Sequence, residues 1–173
     1  IGQGFGMDVI AWSPNLTPER TQPFDVNYVS KEDLFRRSDA LTIHIPHTDT
    51  TEGLVDAHSI SLMKPEAFLI NTSRPKLVDE VALINALETN ALGGAGLDVF
   101  EIEPLPRDHI YRKLHNVIAT PHLGFVTEEN YQIFFSESRE NLESYIRGKP
   151  IRVITSNTSF LPESQVARQM HRG

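Results

Sequence analysis

The chain has 173 residues, which suits one domain with a sizeable buried core. Its formal net charge of −7 argues against nucleic acid or an anionic membrane as a partner, and the absence of cysteine excludes disulfides, thiolate metal sites and cysteine nucleophiles. No apolar run approaches the roughly 20 residues of a membrane-spanning helix, and no secretory signal is visible, so we expect a cytoplasmic protein.

Strand and helix signals alternate along the chain. Apolar runs predict the strands, and capping residues predict where helices begin. In chain order we predict strands at 8–13 and 24–29, a helix capped by Ser30, a strand at 40–45, a helix at 56–63, a strand at 67–71, a helix from Asp79, strands at 95–99 and 116–120, and a long helix from Thr127 to about Arg147. The helix from Asp79 is predicted to be amphipathic, with the apolar residues Val81, Leu83, Ile84 and Leu87.

This alternation predicts an α/β fold, a Rossmann-like doubly wound parallel sheet with helices over both faces. Ligands of such sheets bind at the carboxyl ends of the strands. Polar and ionisable residues collect at those ends, at positions 44–46, 71–74, 98–103 and 120–122. We assign residues 1–154 to this domain and the polar residues 155–173 to a C-terminal tail.

The glycines at the start of the chain resemble a phosphate-binding loop. Such a loop follows a strand and opens a helix. Here Gly2, Gly4 and Gly6 have no strand before them, and a predicted strand follows directly. We therefore interpret them as the end of a helix and a turn into the strand that begins at Asp8.

Three ionisable residues stand at successive strand ends: Arg74, Glu103 and His122. Reduction of a 2-keto acid needs a planar cation for the carboxylate, and arginine supplies one. It also needs a group that exchanges protons near neutral pH, such as histidine, and a carboxylate that orients it. Taken singly, Arg74 is explained as a surface cation, Glu103 as part of a solvated turn and His122 as part of a rigid turn. Taken together at neighbouring strand ends, the three residues predict a catalytic site.

The motifs around these residues resemble a known family. They are Asn-Thr-x-Arg at 71–74, Leu-Asp-Val-Phe-x-x-Glu-Pro at 97–104 and Thr-Pro-His at 120–122. In this order and spacing they resemble the NAD(P)-binding domain of D-isomer-specific 2-hydroxyacid dehydrogenases, and the resemblance covers about residues 1–154.

The resemblance implies a role for each site residue. Arg74 is similar to the family's substrate-binding arginine, Glu103 and His122 are similar to its acid/base pair, and Asp98 is similar to the aspartate near the nicotinamide carboxamide. The cofactor-binding residues implied, with no metal ligands among them, are Ser13, His44, Ile45, Pro46, Thr72, Ser73, Asp98 and Gly124.

The chain departs from the family pattern in several places. The family's glycine-rich loop, its central strand and the N-terminal part of its substrate domain are expected upstream of Ile1, so we expect a sheet truncated at its N-terminus. Ser13 replaces the acid that binds the adenosine ribose, which leaves NAD and NADP open. Arg20 is read either as a contact to a 2′-phosphate or as a solvated loop cation. Pro75 replaces a glycine and biases Arg74 towards an extended backbone.

The function implied is that of an oxidoreductase that transfers hydride between NAD or NADP and a small D-2-hydroxy or 2-keto acid, with glyoxylate and hydroxypyruvate among the candidates. The alternatives are an NAD-sensing, corepressor-like binding module and an inactive truncated product. We expect these 173 residues alone to bind the cofactor poorly and to be inactive. The resemblance also implies a homodimer of the full-length protein.

Overall fold

Strands and helices alternate along the chain. The computed structural model describes residues 1–154. The strands are β1 (Ile10–Ala11), β2 (Asn27–Tyr28), β3 (Ala40–Ile43), β4 (Phe68–Asn71), β5 (Gly94–Leu97) and β6 (Val117–Ala119). The α-helices are α1 (Pro18–Thr21), α2 (Lys31–Arg37), α3 (Ala57–Ser61), α4 (Glu80–Glu88) and α5 (Glu128–Ile146). Short 3-10 helices lie at Gln3–Phe5, Gln22–Phe24, Pro75–Leu77 and Ile110–Arg112.

Every strand pair is parallel, which confirms the predicted fold class. One sheet has the order β3-β4-β5-β6, and β1 pairs with β2 in a second, two-stranded sheet. In the four-stranded sheet the last residues of the strands lie opposite one another: Ile43 pairs with Asn71, Asn71 with Leu97, and Leu97 with Ala119. The residues that follow these four strands therefore lie along one edge of the sheet.

The core covers one face of the four-stranded sheet. Leu69 of β4 and Leu97 of β5 pack with Leu83 of α4 in one buried cluster, to which α2 and α3 also contribute. On the opposite face Phe68 is 53% exposed and Ile118 is 74% exposed. The helices α2, α3 and α4 all contribute to the cluster on the covered face, as flanking helices of an α/β Rossmann-like sheet.

The predicted helix starts are confirmed by their hydrogen bonds. The side chains of Ser30, Asp56, Asp79 and Thr127 each accept a hydrogen bond from the backbone N–H three residues later, at 3.1, 2.7, 3.0 and 3.2 Å. Each cap satisfies a donor that the helix itself leaves unpaired. The long helix α5 ends at Ile146, one residue before the predicted end, with Arg147 as its C-cap and Gly148 in the left-handed region.

The first part of the chain differs most from the prediction. The predicted strands at 8–13 and 24–29 shorten to two residues each, because β1 and β2 form a ladder of only two residue pairs. Phe24 belongs to a 3-10 helix, which contains Pro23 within its first two positions. Gly2 and Gly6 flank the 3-10 helix Gln3–Phe5, Gly4 lies within it, and Gly6 ends it at φ 76°, as the turn interpretation predicts.

The chain divides into two compact units, residues 1–124 and a second that begins at Phe125. Helix α5 lies in the second unit and buries none of its side chains. The predicted tail at 155–173 lies outside the described residues. None of the described helices is both long enough and apolar enough to cross a membrane.

The exposure of α4 generates a stability prediction. Leu83 is 1% exposed, whereas Val81, predicted as apolar in the same helix, is 78% exposed. We expect Leu83→Ala to lower the free energy of unfolding by about 2–5 kcal/mol, because it leaves a cavity. Val81→Ala is the matched control and should change it by less than about 0.5 kcal/mol. Urea unfolding measures both, and equal effects of the two substitutions would contradict this packing.

Candidate active site

The candidate site is built on the edge where four parallel strands end in register. His44 follows β3, Thr72 follows β4, Asp98 follows β5 and Thr120 follows β6. The backbone N–H of Asp98 donates to the Asn71 carbonyl, and that of Thr120 donates to the Leu97 carbonyl, at 3.0 and 2.9 Å. These bonds continue the sheet one residue beyond the strands and bring the polar segments side by side.

Asp98 holds the turn that follows β6. Its Oδ1 accepts hydrogen bonds from the Thr120 hydroxyl and the Leu123 N–H, and its Oδ2 accepts one from the Gly124 N–H. Asp98 is only 5% exposed. Burial raises the pKa of this carboxyl group, but the three hydrogen bonds outweigh burial and hold its pKa below the usual value.

His122 lies inside the turn that Asp98 holds. Its φ is 56°, in the left-handed region, which costs a residue with a side chain roughly 1–2 kcal/mol. The His122 N–H donates to the Thr120 carbonyl at 3.0 Å, and the next two N–H groups along the chain donate to Asp98. These hydrogen bonds offset the unfavourable backbone conformation and set the direction of the imidazole.

Glu103 and His122 are in direct contact, as the sequence predicts for an acid/base pair. Glu103 Oε2 lies 2.9 Å from His122 Nδ1, and Glu103 Oε1 accepts a hydrogen bond of 2.9 Å from the Phe100 N–H. The bond to His122, followed by the one from Phe100, lowers the pKa of Glu103. A carboxylate only accepts hydrogen bonds, so Nδ1 of His122 is the donor in this contact.

Arg74 follows strand β4, which pairs with β5 in the sheet. Asn71 holds its backbone, since Asn71 Nδ2 donates to the Arg74 carbonyl at 2.9 Å. Arg74 is extended, at φ −142° and ψ 141°, as predicted from Pro75. Its guanidinium donates to the Ser73 carbonyl at 2.7 Å and forms no ion pair with any carboxylate among residues 1–154. The structure thus joins Glu103 to His122 and leaves the charge of Arg74 uncompensated.

The predicted cofactor residues fall into two groups. Most line the sheet edge: the Ser73 hydroxyl donates to the Ile45 carbonyl at 2.7 Å and joins the ends of β3 and β4, and His44 Nε2 lies 2.9 Å from the Thr42 hydroxyl. The side chains of His44, Pro46 and Thr72 are exposed at this edge, where they can contact a cofactor. Ser13 belongs to the other sheet and follows β1 by two residues.

Three residues of the site have a structural role that the sequence motifs do not predict. Asn71 accepts the Ser73 N–H through Oδ1 and so fixes the loop that carries Arg74, while Thr120 and Phe100 donate to the two carboxylates. The role of Asn71 has a signal in the sequence: it ends a buried strand and precedes Thr-Ser. An asparagine side chain at such a position commonly forms a hydrogen bond with the backbone two residues later. No group of three potential metal ligands occurs in the part of the chain that the structure describes.

Comparison with known proteins gives a consistent result. Residues 1–124 match the family model described as "D-isomer specific 2-hydroxyacid dehydrogenase, NAD binding domain". The D-3-phosphoglycerate dehydrogenase of Synechocystis sp. is 37% identical over 94% of this chain and 29% of its own length. The glyoxylate reductase of Thermococcus litoralis is 40% identical over 85% of this chain and 44% of its own length.

A solved structure agrees with these two relatives. The phosphoglycerate oxidoreductase of Vibrio cholerae has a TM-score of 0.80 and 32% identity, with 85% of this chain and 47% of that one covered. The chain therefore spans less than half the length of each of these three relatives.

The hydrogen bonds of Asp98 generate a prediction about stability and pH. We expect Asp98→Asn to lower the free energy of unfolding at pH 7 by about 1–3 kcal/mol, because the amide group cannot satisfy all three donors. A depressed pKa stabilises the fold above the unfolded-state pKa of about 3.9, and this contribution is lost as pH falls through the folded-state pKa. The difference between wild type and variant should therefore narrow at acidic pH.

Chemical unfolding at pH 7 and at a series of acidic pH values measures this difference. Asp49→Asn is the control, since Asp49 is exposed and accepts no hydrogen bond from residues 1–154. An Asp98→Asn variant as stable as wild type at pH 7 would mean that the carboxylate does not hold the turn.

Proposed function

The chain belongs to the D-isomer-specific 2-hydroxyacid dehydrogenase family, and from this membership we propose that the protein transfers hydride between NAD(P) and a small D-2-hydroxy or 2-keto acid. The observation that supports this most directly is the 2.9 Å contact between Glu103 and His122 at the strand ends. Relatives named glyoxylate reductase and hydroxypyruvate reductase support substrates of that size.

Arg74 binds the carboxylate of the substrate in this proposal. A guanidinium offers two parallel N–H donors to a carboxylate, and the pairing fixes orientation as well as position. Arg74 is exposed and its charge is not neutralised by any acid of residues 1–154, so it is available to a substrate. The adjacent His44, Thr72 and Ser73 are the residues proposed to line the cofactor at the same edge.

His122 supplies the proton to the keto oxygen during reduction and takes it back from the hydroxyl during oxidation. The proton leaves through Nε2, because Nδ1 is hydrogen-bonded to Glu103. The Glu103 carboxylate holds the direction of the imidazole ring through this hydrogen bond. When bound, NAD(P)H supplies the hydride to the keto carbon. Asp98 acts on this step through the turn that carries His122.

Two other functions remain distinguishable from this one by experiment. An NAD-sensing binding module would bind the cofactor with no turnover of keto acids, and an inactive product would do neither. We place the activity in the protein at its natural length, because the relatives act as much longer chains.

A homodimer is part of the proposal and is supported by helix α5. Its 19 residues include no buried side chain, and Phe135 and Tyr145 are 71% and 73% exposed. Exposed aromatic residues on a helix are typical of surfaces that associate with another protein.

Replacement of the proposed proton donor tests the mechanism. We expect His122→Ala to lower kcat about 10²- to 10⁴-fold, because general acid catalysis is lost. The assay is steady-state oxidation of NADH and NADPH with glyoxylate and with hydroxypyruvate. His115→Ala is the matched control, since His115 is an exposed histidine outside the site. If His122→Ala retained the wild-type rate, the proton donor would be another residue.

Replacement of Arg74 separates charge from geometry. We expect Arg74→Ala to raise KM for the keto acid about 10- to 100-fold, the loss expected for charge-assisted hydrogen bonds. Arg74→Lys keeps the charge without the planar fork, so its KM should fall between those of wild type and Arg74→Ala. Cofactor affinity should stay unchanged in both variants. A KM unaffected by Arg74→Ala would remove Arg74 from the substrate site.

A further inference from the structure

Glu103 lies in a segment without helix or strand, residues 99–105, between β5 and the 3-10 helix Ile110–Arg112. No backbone–backbone hydrogen bond involves these residues within the described part of the chain. The Phe100 N–H bonds the Glu103 side chain at 2.9 Å, which fixes the carboxylate relative to its own segment. The conformation of the segment itself therefore depends on side chains that bond it from outside.

The guanidinium of Arg112 bonds the two carbonyl groups that follow this segment's carboxylate. Its Nη2 donates to the Leu105 carbonyl at 2.8 Å, and its Nε donates to the Pro106 carbonyl at 2.9 Å. The two donors lie on one edge of a planar group, so they hold two consecutive peptide units in one geometry. Within residues 1–154 the Leu105 carbonyl accepts no other hydrogen bond.

We infer that Arg112 is a positioning residue for the acid/base pair: it holds the chain directly after Glu103 so that the carboxylate meets His122. This inference rests on the proposed function, because it concerns the proton transfer of that same reaction. It goes further by assigning a role to a residue that contacts neither the substrate nor the cofactor.

The 3-10 helix that carries Arg112 is fixed to the core. Tyr111 is 4% exposed and belongs to the buried cluster. His109 Nδ1 accepts a hydrogen bond of 3.3 Å from the Tyr111 N–H, and His109 Nε2 lies 3.7 Å from Glu80 Oε1 of α4. The Arg112 N–H donates to the His109 carbonyl at 3.1 Å. The guanidinium thus links the chain after Glu103 to an element that packs against the rest of the domain.

Burial of neighbouring side chains is the alternative anchor for the segment. Phe100 and Leu105 lie on either side of Glu103 and are 5% and 8% exposed. Hydrophobic contacts have no preferred direction, whereas hydrogen bonds to carbonyl groups fix the orientation of the peptide units. The packing therefore places the segment on the core, and Arg112 sets its conformation.

The fork of Arg112, and not its charge, carries this role. Both hydrogen bonds go to carbonyl groups, and the guanidinium forms no ion pair with a carboxylate of residues 1–154. Arg112→Lys keeps the charge but loses the two donors in one plane. It should therefore behave like Arg112→Ala and not like wild type.

Steady-state kinetics of the protein at its natural length, with NADH or NADPH and glyoxylate or hydroxypyruvate, test the role. We expect Arg112→Ala to lower kcat about 10- to 100-fold, because a small displacement of a catalytic group is costly. KM for the keto acid should stay nearly unchanged, because Arg112 does not touch it. Arg107→Ala is the matched control and should keep the wild-type kcat, since Arg107 is exposed and forms no hydrogen bond within residues 1–154.

A double-mutant cycle with Glu103→Gln separates positioning from a general loss of stability. If Arg112 acts through Glu103, adding Arg112→Ala to Glu103→Gln should lower kcat by less than about 2-fold more. Hydrogen exchange gives a second measurement that needs no activity. The Phe100 amide should exchange faster in Arg112→Ala, while the amides of β4 and β5 keep their wild-type rates.

The outcomes separate this inference from the proposed function. A wild-type kcat in Arg112→Ala or Arg112→Lys, or a fully multiplicative loss in the double variant, would overturn the inference alone. Faster exchange throughout the core would also overturn it, because the role would then be one of stability. If Arg112→Ala did not fold, Arg112→Lys would carry the same cycle. A wild type that turned over no keto acid would overturn the proposed function and, with it, the role of Arg112.

Discussion

The carboxylate of Asp98 accepts three hydrogen bonds from the turn after β6, and this constraint sets the position of His122. Because Asp98 is buried at the end of β5, the turn forms its hydrogen bonds with a residue fixed to the sheet and not with water. His122 can then occupy a left-handed backbone conformation that would otherwise be unfavourable. Glu103 meets its ring from the segment that follows Asp98, with its other oxygen held by the Phe100 N–H. The proposed acid/base pair is therefore arranged before any substrate binds, which is the condition for efficient electrostatic catalysis.

The parallel sheet supplies the common edge on which these groups meet. Its four strands end in register, so segments far apart in the chain emerge side by side. Asn71 and Ser73 then fix the loop after β4 by hydrogen bonds to the Arg74 carbonyl and to the Ile45 carbonyl. The loop after β4 therefore carries a cation, Arg74, that forms no ion pair with an acid of residues 1–154. In the proposed function this cation binds the carboxylate of a substrate whose keto group receives the proton from His122.

Much of this arrangement follows from local sequence signals. The helix caps, the longer strands and the contact of Glu103 with His122 are all predicted, because each depends on short-range patterns or on adjacent strand ends. The role of Asp98 in the turn is not predicted from the sequence. Its three hydrogen-bond donors lie 22–26 residues away in the chain, and only the register of the strands brings them to the carboxylate. The difference between Val81 and Leu83 is also invisible in the sequence: both are apolar in one helix, and only the packing decides which is buried. The lengths of β1 and β2 are overestimated in the prediction, because the length of each strand is set by its pairing with the other and not by β-propensity.

In the proposed mechanism Arg74, Glu103 and His122 act together on one substrate molecule. A crystal structure of the protein at its natural length with cofactor and oxamate, an unreactive analogue of a 2-keto acid, tests this proposal most directly. We expect the oxamate carboxylate to pair with the Arg74 guanidinium, and its carbonyl oxygen to lie about 2.6–3.2 Å from His122 Nε2. Oxamate bound away from Arg74, or an imidazole whose Nε2 points away from the carbonyl oxygen, would show that the three residues do not act on one substrate.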